Sequence, residues 1–366
     1  MLVTIGNIFE SKASTLVNTV NCVGVMGKGV ALEFKKRYPQ MFKEYAEKCR
    51  NHELKAGCPY YYCDLTGASV INFPTKEHWR SPSKLSYIID GLDWFIENYQ
   101  NLGITSAAFP PLGCGNGGLP WEIVGPLMYQ KLKNLPIYIE VYAPFGTKPE
   151  QLKKEFLEKT DISQHNNIIG AKLNKLNPNW YLLLYVVQEL SKNRYSLHVG
   201  RTIFQKICYV LTRNGADMGF VFTKGTYGPY SSQINEAIML LSNANLMQET
   251  SFGRMMKMSV STDFLFDKTK FSDTEIIAAE KTIDLFSRVK NSEQAEMIAT
   301  VLYAYDCLTK SGESIADIDV YSFVMDWKKH WENDKKDAVC DTIKNLAILG
   351  QINVLYSSKI AYNADI

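Results

Sequence analysis

The chain has 366 residues, of which 46% are hydrophobic, enough for two globular domains with buried cores. Its formal net charge is +2 at pH 7, which excludes a basic nucleic-acid-binding coat over the whole surface but not a local basic patch. No apolar run approaches the ~18 residues of a membrane span. The first residues also lack the charged and apolar regions of a signal peptide, so we expect a cytoplasmic protein.

The predicted elements of residues 1–147 alternate between strands and helices. The strands are predicted at 2–4, 16–18, 60–63, 69–72, 105–109 and 136–142, and the helices at 30–49, 84–99 and 121–132. Such alternation is typical of a doubly wound mixed sheet covered by helices on both faces, a three-layer α/β/α architecture. We assign it to a first domain of residues 1–150.

The composition changes after residue 150. Residues 151–179 are polar and end in Asn-Pro-Asn, which predicts a terminal helix and a linker with a boundary near residue 165. Residues 180–366 are predicted to form an α-rich second domain with a small β-hairpin, like a winged helix. Its predicted helices are 180–191, 198–214, 231–245, 273–290, 293–310 and 334–349, and its strand material lies at 219–223, 256–260 and 351–355.

The eight cysteines are scattered and form no CxxC pair, a pattern typical of free thiols in a reducing compartment. Cys49, His52, Cys58 and Cys63 could be drawn as zinc ligands, but their spacing matches no standard structural zinc site. The segment 58–63 instead has the pattern of an aromatic strand. We therefore expect buried thiols, no metal and no cofactor.

Two glycine-rich loops each follow a predicted strand and precede a predicted helix. The first glycine loop, residues 18–29, carries Gly24, Gly27 and Gly29, and its spacing differs from the dinucleotide-binding fingerprint. A tight strand–helix turn and a phosphate-binding loop explain it equally well. Asn21, at the end of the strand, could bond a ribose hydroxyl or simply organise the turn.

The second glycine loop, residues 110–119, holds four glycines within six positions, from 113 to 118. A purely structural turn rarely needs so many. Successive backbone N–H groups in such a segment can form an anion-binding nest. With two such loops at one sheet, phosphate binding is the favoured interpretation.

Lys76 follows Pro74 and Thr75 at the end of a predicted strand between the two loops. Most lysines are solvated surface charges. In a dry pocket or beside another cation, such as His78 or Arg80, a lysine can lose its proton and act as a nucleophile. The position of Lys76 makes it the candidate catalytic residue.

Five ordered motifs in residues 1–147 resemble the macrodomain of the DarG antitoxin family. They are GNI at 6–8, NTVN at 18–21, GVMGKGVA at 24–31, FPTK at 73–76 and PPLGCGNGGLPW at 110–121. Among macrodomains, this region is most similar to the human terminal ADP-ribose protein glycohydrolase. The resemblance implies a macrodomain fold, an ADP-ribose pocket and removal of ADP-ribose from thymidine in single-stranded DNA.

The resemblance also implies roles for individual residues. Lys76 matches the catalytic lysine of the family. Asn7 and Ile8 are expected at the adenine, Asn21 at the distal ribose, and the two glycine loops at the diphosphate. The expected ADP-ribose contacts are Asn7, Ile8, Thr19, Asn21, Val25, Met26, Gly27, Lys28, Gly29, Thr75, Leu112, Gly113, Cys114, Gly115, Asn116 and Gly117.

Two positions depart from the pattern of the related macrodomains. Many of them have aspartate where this chain has Asn7. The human relative has a catalytic aspartate in its second loop, where this chain has Gly117. The resemblance therefore leaves open whether Lys76 acts through a Schiff base with the opened ribose or through electrostatic assistance.

The second domain carries a further resemblance. FQKICYVL at 204–211 and FTKGTYGPYS at 222–231 resemble the helical antitoxin module called Panacea, which implies that residues 180–366 bind and block the ADP-ribosyltransferase toxin DarT. Two alternatives remain at this point. The chain could bind ADP-ribose without cleaving it, or it could act only by sequestering the toxin.

Overall fold

Six strands near the amino terminus form one sheet. They are β1 (Leu2–Thr4), β2 (Thr15–Asn21), β3 (Tyr60–Cys63), β4 (Ser69–Lys76), β5 (Ser106–Phe109) and β6 (Tyr138–Tyr142). Their order in the sheet is β1-β6-β5-β2-β4-β3. Neighbouring strands are parallel except β3 and β4, which are antiparallel, so the predicted mixed sheet is confirmed.

The computed structural model describes residues 1–64, 67, 69–158, 176–192, 198–252, 255–309, 315–331 and 334–357. They fall into two compact units, Met1–Leu176 with Glu236–Asn245, and Asn177–Asn235 with Leu246–Ile366. The domain boundary predicted near residue 165 lies outside the described residues. Within the described ranges, no helix is long and apolar enough to cross a membrane.

Helices cover both faces of the sheet, as the three-layer architecture requires. They are α1 (Gly29–Arg37), α2 (Pro39–Arg50), α3 (Leu85–Asn98) and α4 (Trp121–Leu132), followed by the short α5 (Lys154–Glu158). Alternate residues of β4 face opposite layers. Val70 packs with Phe34 and Tyr45 of α1 and α2, whereas Phe73 packs in the core beneath α3 and α4 with Leu92.

The prediction of one helix over residues 30–49 was wrong, because the structure has two. Helix α1 ends at Arg37, and the N–H of Tyr38 closes its last turn on the carbonyl of Phe34, 2.8 Å away. Pro39 is the first residue of α2. A proline has no N–H to donate and fits the first turn of a helix, so it ends one helix and begins the next.

The second unit is rich in helices, as predicted, although its likeness to a winged helix stays a prediction. The helix at Asp317–Trp327 was not predicted. The strand predicted at residues 351–355 was wrong, because this segment forms only a single bridge, from Leu355 to Ala316. The helices after residue 176 are α6 (Trp180–Lys192), α7 (Arg201–Arg213), α8 (Gln233–Asn243), α9 (Asp273–Ser287), α10 (Ser292–Thr309), α11 (Asp317–Trp327) and α12 (Lys336–Ile348). Among the described residues of this region, the strands form two hairpins, β7 (Thr223–Gly225) with β8 (Gly228–Tyr230), and β9 (Met247–Phe252) with β10 (Met255–Val260).

Gly91 of α3 allows the ring of Phe73 to pack directly against the helix backbone. A Cβ atom at position 91 would lie 2.2 Å from Cζ of Phe73. We expect Gly91→Ala to lower the free energy of unfolding by about 1–3 kcal/mol, because it overpacks the core. Chemical denaturation monitored by circular dichroism measures this.

Phe73→Leu provides the control, since leucine lacks the outer ring atoms that meet Gly91. We expect the double variant Gly91→Ala, Phe73→Leu to be less destabilised than the sum of the two single variants. Additive effects would contradict the assigned contact.

Candidate active site

A β-bulge places Lys76 at the carboxyl end of β4. Val20 of β2 pairs with Pro74 and the next residue, Asn21, pairs with Lys76, so Thr75 is an extra residue on β4. Bulges re-aim side chains and are common beside active sites. Pro74 is compatible with this irregularity because a strand proline is tolerated where the ladder is interrupted.

The Lys76 side chain is buried, with only 7% of its surface exposed. Its Nζ donates a hydrogen bond to the carbonyl oxygen of Asn116 at 2.7 Å. A buried ammonium group needs such an acceptor to offset its lost hydration. The bond therefore fixes both the lysine and the second glycine loop to which Asn116 belongs.

Asn21 organises the first glycine loop from within. Its Nδ2 donates to the carbonyl of Val25 at 2.6 Å, and its Oδ1 accepts from the N–H groups of Val23 and Val25 at 3.0 and 3.3 Å. The buried hydroxyl of Tyr45 donates to the Asn21 carbonyl at 2.8 Å. These contacts agree with the alternative in which Asn21 organises the turn. The contact of Asn21 with a ribose hydroxyl stays a prediction.

The other predicted contacts of the first loop are partly buried and partly exposed. Thr19 is half-buried on β2, Met26 is buried, and Val25, Gly27 and Lys28 are exposed. Gly29 begins α1 with a φ of +58°, a left-handed conformation that favours glycine. A Cβ atom there would lie 3.7 Å from Nδ2 of Asn116, so the two glycine loops meet at this point.

The second glycine loop is packed too closely for a side chain at Gly117. A Cβ atom there would lie 2.2 Å from Oγ of Ser83 and 2.4 Å from the carbonyl oxygen of Gly113. The N–H of Ser83 also donates to the Gly117 carbonyl at 2.9 Å. This backbone arrangement has no room for an aspartate at position 117, where the resemblance to the human relative would place one.

The remaining predicted positions of this region differ in exposure. Leu112 and Gly113 are buried, Cys114 is half-buried, and Gly115 and Asn116 are exposed. Thr75, the residue at the bulge, is also buried. Lys76, Asn116 and Gly29 are thus brought together, whereas the ligand contacts of all these residues stay predictions.

Asn7 and Ile8 lie at the amino terminus of a short 3-10 helix. Oδ1 of Asn7 accepts from the N–H of Phe9 at 3.2 Å and caps that helix. Ile8 is buried with Ala108 and Tyr142. The sequence gives no sign of this packing of Tyr142 against Ile8, because nothing local distinguishes Tyr142 from the other aromatic strand residues.

Two thiols lie in the glycine-rich regions, and both are poor nucleophiles. Burial raises the pKa of the Cys22 thiol to about 12, and Cys49 and Glu77 add to the effect. Burial also raises the pKa of Cys114 to about 12, with a further contribution from Glu122. Both are protonated at neutral pH, and the thiolate is the reactive form, so Lys76 is the stronger candidate for chemistry here.

A metal site is not evident in the described part of the chain, where no three His, Cys, Asp or Glu side chains are placed to hold an ion. All eight cysteines are among the described residues, and all are free. Cys49 is buried as predicted, but the prediction of buried thiols was wrong for Cys58 and Cys63, which are exposed.

Comparisons with known proteins agree with this fold, and the matched region includes both glycine loops. Residues 17–128 match the family model described as Macro domain, which defines a macrodomain protein. A DNA ADP-ribosyl glycohydrolase of Thermus aquaticus is 31% identical over 311 residues, covering 82% of this chain and 81% of the relative. The chain belongs to the DarG family of DNA ADP-ribosyl glycohydrolases.

Two further relatives cover less of the chain. The DNA ADP-ribosyl glycohydrolase of Mycobacterium tuberculosis is 34% identical over 250 residues, covering 65% of this chain and 66% of the relative. A DNA ADP-ribosyl transferase–glycohydrolase fusion protein of Thermosipho africanus is 40% identical over 172 residues, covering 42% of this chain and 44% of the fusion.

Gly117→Ala tests the close packing of the second glycine loop. The added methyl group must displace Ser83 or the Gly113 carbonyl, so we expect a loss of about 1–3 kcal/mol in the free energy of unfolding and weaker binding of ADP-ribose. Thermal denaturation and isothermal titration calorimetry measure the two effects.

Gly115→Ala is the matched control for stability, because a Cβ atom at position 115 has no protein atom within 4 Å. Equal stability of the two variants would contradict the packing described here.

Proposed function

We propose that this chain removes ADP-ribose from thymidine in single-stranded DNA, and that Lys76 is its catalytic residue. The main support for this proposal is that a buried lysine lies where the two glycine loops meet. Three similar proteins bear names for DNA ADP-ribosyl glycohydrolase activity. The free cysteines suit a cytoplasmic location for this reaction.

The proposed ligand lies along the carboxyl ends of the parallel strands, where open α/β sheets bind ligands. The backbone N–H groups of the two glycine loops would hold the diphosphate, since glycine permits close approach and N–H groups point at the anion. Asn7 and Ile8 would flank the adenine. This arrangement brings the distal ribose to the end of β4, beside Lys76.

Two chemical routes use Lys76 at the anomeric carbon. In the covalent route, the deprotonated amine of Lys76 attacks that carbon while the bond to the thymine nitrogen breaks, and the departing nitrogen takes up a proton. The ring C–O bond of the resulting glycosylamine then opens to give a Schiff base, which water hydrolyses to release ADP-ribose and regenerate the lysine. In the electrostatic route, the ammonium stabilises negative charge on the departing thymine while water attacks. Borohydride reduction of the reacting mixture distinguishes them, because it traps only the covalent intermediate.

Lys76→Ala tests the proposal directly. We expect cleavage of an ADP-ribosylated, thymidine-containing oligonucleotide to fall at least 100-fold, the usual scale for removing one catalytic group, while ADP-ribose still binds. Chromatographic detection of released ADP-ribose measures cleavage. The control is Lys36→Ala, which removes a lysine that is 60% exposed on α1.

Unchanged cleavage by Lys76→Ala would refute the role of that lysine. Binding of ADP-ribose without cleavage by the native protein would refute the enzyme and leave a binding module.

We further propose that the second unit binds the cognate DarT transferase through the hairpin of β7 and β8. Two buried lysines donate hydrogen bonds to backbone carbonyl groups of this hairpin. Nζ of Lys206 donates to the carbonyl of Pro229 at 2.8 Å, and Nζ of Lys328 donates to the carbonyl of Thr226 and to Glu296. The pKa of Lys206 is lowered to about 8, mainly by burial; Glu296 opposes this shift and Lys328 contributes to it.

The outer surface of the hairpin region is aromatic and exposed. Tyr227 is 65% exposed, Tyr230 is 41% exposed, and the neighbouring Val221 is 71% exposed. Rigidly held tyrosines are typical anchors of protein interfaces, because they bury a large area at a small entropic cost. The fusion of a transferase to a similar glycohydrolase in Thermosipho africanus supports the transferase as the partner.

Tyr227→Ala is expected to weaken binding of the transferase at least tenfold, as removal of an aromatic anchor does. Surface plasmon resonance with immobilised transferase measures it. Leu265→Ala is the control, since Leu265 is an 89% exposed apolar residue outside the hairpin. Equal binding by both variants would place the interface elsewhere.

A further inference from the structure

We propose that Trp79 and Arg80 form a binding site for a DNA base close to the modified nucleotide. The inference rests on the proposed function and names the surface that distinguishes a DNA strand from an isolated nucleotide. Trp79 is 43% exposed, although tryptophan side chains are usually well buried. It lies three residues after Lys76.

The Trp79 ring is held among cationic and aromatic neighbours. Cζ of Arg80 lies 4.5 Å from the centroid of the indole, and the His78 ring stacks on it with centroids 5.4 Å apart. Aromatic rings combined with arginine are what proteins use to bind single-stranded nucleic acid, because every base has a face on which a ring can stack. The Trp79 ring with its arginine neighbour is therefore suited to bind a base of any identity.

The turn that carries Trp79 is anchored on the side nearer to Lys76. The carbonyl of Glu77 accepts from the N–H of Cys22 at 3.0 Å, and the Glu77 carboxylate accepts from the hydroxyl of Tyr87 at 2.6 Å. Glu77 is thus fixed to the first glycine loop and to α3.

The turn is equally anchored on its other side. The N–H of Ser81 donates to the carbonyl of His78 at 3.0 Å, and the N–H of Ser83 donates to the carbonyl of Gly117 at 2.9 Å. Ser81 and Ser83 are both buried. An exposed ring on a turn fixed at both ends loses little freedom when a base stacks on it.

The distance to the reacting centre suits a neighbouring nucleotide. Three residues of chain span at most roughly 11 Å between the Cα atoms of Lys76 and Trp79. Successive nucleotides of a stacked strand are spaced by about 3.4 Å, so the two Cα atoms are separated by no more than about three stacked nucleotides. A base on Trp79 and the modified thymidine at Lys76 would therefore belong to one short segment of the strand. Arg80 and the nearby Lys84 supply positive charge for the phosphates between them.

The test compares two substrates that carry the same modification, an ADP-ribosylated thymidine mononucleotide and a single-stranded oligonucleotide of ten residues. For each protein, the measured quantity is the ratio of kcat/KM on the oligonucleotide to kcat/KM on the mononucleotide. We expect Trp79→Ala to lower this ratio about tenfold and Trp79→Phe, which retains a stacking ring, to lower it much less. Arg80→Ala should reduce the slope of log kcat/KM for the oligonucleotide against log salt by about 1.

Tyr138→Ala is the control, because Tyr138 is an aromatic residue of similar exposure, 49%, at the start of β6. An unchanged ratio in Trp79→Ala would overturn the inference while leaving the proposed function intact. Equal losses on both substrates would also overturn it, because they would assign Trp79 to the architecture of the pocket. Failure of the native protein to cleave either substrate would instead refute the proposed function.

Discussion

The hydrogen bond from Lys76 to the carbonyl of Asn116 is the interaction on which the site depends. It joins β4 to the second glycine loop, and Asn116 in turn lies against Gly29 of the first loop. The bulge at Thr75 makes this bond possible, because it shifts Lys76 into register with Asn21. A regular strand would place another residue of β4 at that position. One irregular residue thus places a charged side chain where the two loops meet.

The same physical device recurs in the second unit. Lys206 and Lys328 are buried and donate to backbone carbonyls of the hairpin that carries Tyr227. A buried lysine is costly unless its hydrogens find acceptors, and a loop carbonyl is costly unless it finds a donor. Pairing the two stabilises both and fixes a loop that has little regular structure of its own. In both units, buried lysines thus hold the loops to which we assign a function.

The sequence was sufficient to predict the features that depend on local patterns. Apolar periodicity predicted α3 and α4, and the density of glycines located the second loop before a fold was known. Pro39 was a local signal for the break between α1 and α2 that the helical pattern of residues 30–49 obscured. Helix α11 was missed because its valine and aromatic residues have weak helical propensity, which tertiary packing overrides.

The detailed geometry of the site could not be predicted in this way. The contact of Ser83 with Gly117 and the bond of Tyr45 to Asn21 join residues that are distant in sequence, and no local pattern encodes such pairs. Pro74 within a strand was a usable sign of the bulge, but it did not indicate which residue is the extra one. The sequence therefore located Lys76, whereas the packing explains its position and the requirement for glycine at residue 117.

A crystal structure of this protein with ADP-ribose would test the role of Lys76 most directly. We expect the diphosphate on the backbone N–H groups of the two glycine loops. Nζ of Lys76 should lie within about 3.5 Å of the anomeric carbon or its departing atom, the separation of reacting groups. A distal ribose that binds away from the end of β4, beyond reach of Lys76, would contradict it.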